Sequence, residues 1–178
     1  MAQSYSARSR AIEPFHVMAL LARANQLQAD GHDVIHLEIG EPDFTTAAPI
    51  VAAGQAALAD GHTRYTAARG LPALREAISS FYGQRYGLDI DPQRILITPG
   101  GSGALLLATS LLVDPGKHWL LADPGYPCNR HFLRLVEGAA QLVPVGPEVR
   151  YQLTPDLVAR YWDQDSVGAL VASPANPT

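Results

Sequence analysis

The chain has 178 residues, 47% hydrophobic and 17% charged, which supplies a buried core and excludes a disordered composition. A formal net charge of −4 argues against a basic nucleic-acid-binding face, and no apolar run approaches the ~20 residues of a membrane span. The opening MAQSYSARSRAIEP lacks a signal-peptide core, and the single cysteine, Cys128, has no internal disulfide partner, so a reducing, cytoplasmic setting is expected.

Residues 1–14 form a polar, Arg-containing arm, followed by a helix with Phe15, Met18, Leu21 and Ala24 at near-helical spacing and a stop at Asp30-Gly31. Val34–Leu37 reads as a short strand that ends in a turn-rich segment from Gly40 to Phe44. Pro49 opens a small-residue helix that Gly61 closes, and a second helix runs from about Leu71 to Tyr86, closed by Gly87. From Arg94 the pattern becomes strand, helix, strand, helix. The spacing predicts strands at Ile95–Thr98, His118–Ala122, Gln141–Val145 and Val167–Ala172. The intervening helices are predicted at Ser102–Val113, Tyr126–Glu137 and from an N-cap at Thr154 with Pro155 behind it. Such alternation predicts an α/β fold with a largely parallel sheet and flanking helices.

Three segments carry chemistry. In ITPGGSGAL (97–105) a strand passes through glycines into a helix, leaving N–H groups at the positive end of the helix dipole, where a phosphate can sit. The same turn also occurs where a strand and a helix simply pack closely. In DPGYP (123–127) Tyr126 can stack on a flat cofactor or pack on a neighbouring loop. In SPANPT (173–178) the Asn176 amide can donate to a phenolate oxygen or stabilise its own turn. The six histidines show no metal-ligand pattern.

Taken in order with LEIGEPDF (37–44) and YTAARGLPALREAI (65–78), these motifs resemble the fold-type-I aminotransferases of the aspartate aminotransferase-like class I/II, which use pyridoxal 5'-phosphate (PLP). The resemblance covers nearly the whole chain. It implies an amino-group exchange between an amino acid and a 2-oxo acid in a homodimer with shared active sites. By the same likeness Gly101, Ser102 and Gly103 cup the PLP phosphate, Tyr126 stacks on the pyridine ring, and Asn176 bonds the phenolic oxygen. Gly40 falls in the loop that contacts the substrate carboxylate, and Tyr65 matches a tyrosine reaching the phosphate of the partner subunit. Residues 1–45 are then expected to form an N-terminal arm and small-domain segment, and residues 46–178 a PLP-binding large domain cut short at its C-terminal end.

The family's Schiff-base lysine, the aspartate paired with the pyridine nitrogen and the arginine that clamps the substrate carboxylate match nothing in this sequence. Its basic residues are twelve arginines and one lysine, Lys117, which stands before a strand, opposite the end where α/β folds gather ligands. The 178 residues are therefore expected to be inactive alone as an N-terminal fragment. A PLP-dependent carbon–sulfur lyase or decarboxylase of the same fold fits the same motifs, and so does a non-catalytic, aminotransferase-like effector-binding module. A dinucleotide oxidoreductase does not, because the G-x-G-x-x-G spacing is missing.

Overall fold

The computed structural model describes residues 5–178; residues 1–4 of the N-terminal arm lie outside the described residues. It contains two compact units: the described residues up to Ile39 together with Gly101–Thr178, and Gly40–Gly100.

The first unit is built on a three-stranded parallel sheet of β1 (His118–Asp123), β2 (Ala139–Pro144) and β3 (Ser166–Leu170), in the order β2-β1-β3. β1 is central because its sequence is apolar on both faces: Trp119, Leu120 and Leu121 are all buried. On one face Trp119 and Leu121 pack with Val113 and Leu133, flanked by Ala108 and Val136. That cluster brings α5 (Gly100–Leu112) and α6 (Asn129–Leu135) against the sheet. Leu120 and Val143 are completely buried. Each such side chain contributes about 1.5–3 kcal/mol through burial. Opposite Trp119 stands Gly168, where a Cβ would come within 2.6 Å of the indole Nε1. Only glycine leaves room there for the ring.

The other helices of this unit follow their local signals. α1 (Ala7–Ala11) is capped by Ser6, whose hydroxyl accepts the Ser9 N–H at 3.2 Å. α2 (His16–Ala29) ends at Asp30 and the left-handed Gly31. α7 (Pro155–Tyr161) starts as expected, with the Thr154 hydroxyl accepting the Leu157 N–H. α6 begins three residues later than its pattern predicts, because Tyr126–Cys128 form a turn leading into it. Val34–Leu37 is not a strand. Among the described residues the segment has no ladder partner, and Ile35 and Leu37 point largely into solvent.

In the second unit α3 (Ala48–Ala59) and α4 (Pro72–Tyr86) both carry a proline in the first turn, and Gly87 ends α4 in the left-handed conformation. The predicted strand at Ile95–Thr98 does not form either. It stays extended but finds one backbone partner, Ile97 N–H donating to the Arg69 carbonyl at 3.1 Å. Ladder pairing, rather than apolar β-branched composition, makes a strand.

Candidate functional site

The carboxyl ends of β1 and β3 open onto a cavity of about 260 Å³ that lies within the first unit. This is where an open α/β sheet presents ligand contacts. Tyr126 and Asn176, far apart in the sequence, both line it. Tyr126 is held there by the turn after β1. Gly125 has no room for a side chain, since a Cβ would meet the Ala122 carbonyl oxygen at 2.5 Å. The Tyr126 ring packs edge-on against Phe15, with centroids 6.1 Å apart and planes at 71°. Its hydroxyl is hydrogen-bonded to Cys128, which with partial burial raises its pKa and keeps the phenol protonated. The chemistry available at this wall is a neutral aromatic face beside an amide donor.

Gly101, Ser102 and Gly103 occupy the first turn of α5 and are not among the residues lining the cavity. The Gly100 N–H is satisfied by the Thr98 carbonyl at 2.8 Å, and the Thr98 hydroxyl donates to the Gly100 carbonyl. The N–H groups of Gly101 and Ser102 find no acceptor among the described residues. Gly101 and Ser102 are exposed, and nothing stands within 4 Å of where a Gly101 Cβ would be. An open, donor-rich helix start suits an anionic oxygen cluster, so the residues present fit a phosphate monoester.

Gly40 and Tyr65 belong to the second unit. Gly40 is an exposed loop residue with open space around it. Tyr65 is fully exposed and, with Thr63 and Arg64, borders an open hollow. Arg69 is not a free surface cation: it donates to the Gln93 carbonyl at 2.8 Å and to the Gln93 side-chain oxygen at 3.2 Å.

Lys117 precedes β1, about 20 Å along the strand from its ligand-facing end. Its ammonium donates to Asp165 at 2.7 Å, which raises its pKa and holds the proton on. A nearby Ser–His–Asp grouping also lies at this amino end. His118 Nε2 meets both the Ser166 hydroxyl, at 2.8 Å, and Asp163, at 3.2 Å. With both partners on one nitrogen, no proton relay runs through the ring.

The sequence reading missed Arg130, which lines the cavity, and Glu13, which pairs with it at 2.6 Å. A contact between residues 117 apart leaves no periodic trace in the sequence.

Residues 32–178 match the family model for aminotransferase class I and II. The chain is 38% identical over 167 residues to valine–pyruvate aminotransferase of Mycobacterium tuberculosis, covering 94% of this chain and 43% of that protein. It is 48% identical over 124 residues to (5-formylfuran-3-yl)methyl phosphate transaminase of Methanocaldococcus jannaschii, covering 70% and 34%. Aspartate aminotransferase from Thermus thermophilus, solved with maleate, superposes with a TM-score of 0.93 at 32% identity, over 99% of this chain and 46% of that one. The chain thus spans less than half the length of the relatives it matches. With the parallel sheet and the arrangement at its carboxyl end, these likenesses establish that the chain belongs to the class I and II aminotransferases.

Proposed function

We propose that this chain supplies the cofactor-binding part of a PLP-dependent aminotransferase that exchanges an amino group between an amino acid and a 2-oxo acid. One observation carries the reading: Tyr126 and Asn176, at the ends of two neighbouring parallel strands, face the same hollow. Bound PLP supplies the electron sink for breaking a bond at the substrate's α-carbon.

The chain's own residues hold and orient that group. The N–H groups of Gly101 and Ser102, the Ser102 hydroxyl and Gly103 receive the phosphate at the start of α5. The Tyr126 ring covers one face of the pyridine, and its protonated hydroxyl adds no negative charge beside it. Asn176 donates its amide to the phenolic oxygen. Gly40 lends backbone to the substrate carboxylate, and Tyr65 reaches the phosphate of a second subunit, so the working form is a homodimer with shared sites in a reducing, cytoplasmic compartment. Lys117 takes no part, since it stands at the far end of β1, paired with Asp165.

Fluorescence titration with PLP and with pyridoxal tests this. Two charge-assisted hydrogen bonds at about 1.5 kcal/mol each make pyridoxal roughly a hundredfold weaker. Lys117→Gln leaves both affinities unchanged. Equal binding of the two aldehydes, or oxo-acid production by these 178 residues that Lys117→Gln abolishes, refutes the assignment.

A further inference from the structure

We propose that Arg130 recognises a second, distal anionic group on the substrate, and that Glu13 occupies its guanidinium when that anion is absent. The proposal rests on the aminotransferase reading of the cavity given above and names the substrate class: amino acids and 2-oxo acids whose side chains end in a carboxylate or phosphate.

Among the described residues the charged side chains lining the cavity are two, Asp123 at the end of β1 and Arg130 on the first turn of α6. Asp123 repels an anion, so the seat for one lies on the α6 side. A guanidinium carries five N–H donors. Among the described residues Arg130 uses one nitrogen, Nη2, toward Glu13 Oε2 at 2.6 Å. Glu13 does not line the cavity. It belongs to the short linker between α1 and α2, and its side chain is 62% exposed against 43% for Arg130. An ion pair this exposed holds weakly and exchanges its partner readily. A carboxylate or phosphate inside the cavity can instead take two parallel N–H bonds from the planar fork. Phe15, two residues after Glu13, packs on Tyr126 and so keeps the linker's carboxylate within reach of Arg130. The linker therefore presents an internal mimic of the ligand's anion beside the proposed cofactor face.

A purely structural role for the pair is the competing explanation. Arg130–Glu13 and Arg8–Glu137 both tie the N-terminal residues to the α6 region. That role predicts a loss of stability on substitution and no change in ligand preference.

The experiment titrates the full chain, in excess PLP, with butyrate, glutarate and 3-phosphonopropionate by calorimetry, with melting curves recorded in parallel. Arg130→Gln is expected to weaken glutarate or the phosphonate about tenfold while butyrate is unchanged, and Arg130→Lys recovers part of the loss. Glu13→Gln removes the competitor and tightens the same dianion about two- to fivefold. The larger Arg130-dependent loss identifies the anion as carboxylate or phosphate. Equal changes for all three ligands in Arg130→Gln, or a Glu13→Gln variant that only melts earlier, overturns the proposal. PLP loading is read separately by fluorescence. Failure of the parent chain to bind PLP defeats the aminotransferase reading and this one with it, whereas a loaded chain whose preference ignores Arg130 defeats this one alone.

Discussion

A methyl group added at Gly125 would lie 2.5 Å from the Ala122 carbonyl oxygen, about 0.9 Å inside the 3.4 Å at which ordinary contact begins. Something must move, and the geometry says what. Ala122 belongs to β1, the central strand, and is paired with Val143 of β2, so its carbonyl cannot retreat without breaking the ladder. The turn of residues 123–128 has no such support and gives way instead, carrying the Tyr126 ring with it. Overpacking of this kind costs about 1–3 kcal/mol, which for a chain of this size lowers the melting temperature by roughly 2–10 °C. A positioning error near 1 Å costs on the order of a hundredfold at a site that depends on orientation. Gly125→Ala is therefore expected to fold, to melt modestly earlier, and to lose PLP affinity by one to two orders of magnitude. Circular-dichroism melting and PLP fluorescence titration measure the two effects on one preparation. A variant that matches the parent in both would refute the idea that β1 fixes the loop and that the loop places the ring.

Ser102→Ala removes one charge-assisted donor and should weaken PLP about tenfold in the same titration, with pyridoxal unaffected. Gly54 lies inside α3 with nothing within 4 Å of the place a methyl group would take, so Gly54→Ala should stabilise the second unit by about 0.5–1 kcal/mol in urea unfolding and leave PLP affinity alone. The Asp163 carboxylate accepts the Asp165 N–H at 2.8 Å, which with the Ser166 hydroxyl and His118 lowers its pKa. A lowered folded pKa means that ionised Asp163 favours the folded state above its unfolded value, and that this benefit disappears as pH falls through the folded one. Asp163→Asn should accordingly flatten the acid limb of the melting-temperature profile below about pH 4 and change little near neutrality.

How far the fold could be read in advance depended on whether an element is defined by neighbours in sequence or in space. The helices announced themselves. Pro at the first turn of α3 and α4, Thr154 before α7, and Gly31 and Gly87 after α2 and α4 are local signals that act within one turn. Ile95–Thr98 and Trp119–Leu121 look alike on paper, both short and apolar. The second became the central strand because β2 and β3 lie on either side of it, and the first has a single bond to Arg69. The same distinction governs the site. Tyr126 and Asn176 sit in turn motifs with their own signature, so they could be named beforehand, and the cavity joins them. Arg130 and Glu13 have no such signature, since neither charge means anything until folding brings the linker against α6.

The electrostatics of the first unit then follow from what this chain does not have. The sequence carries a net charge of −4, so its long-range field does not draw in the anions this chemistry uses. Attraction has to be local. At physiological ionic strength charges beyond about 8 Å are largely screened, which leaves groups in contact with the ligand to do the selecting. The described residues offer two such groups, unpaired N–H donors at the start of α5 and a guanidinium on α6 that holds one exposed partner. Backbone donors bring no charge of their own to neutralise and cannot be lost by side-chain substitution, so they suit a resident phosphate that must never leave. An arginine with a displaceable carboxylate suits an anion that comes and goes. A chain that used the arginine for the resident group and the backbone for the visitor would release its cofactor whenever Glu13 found the guanidinium again.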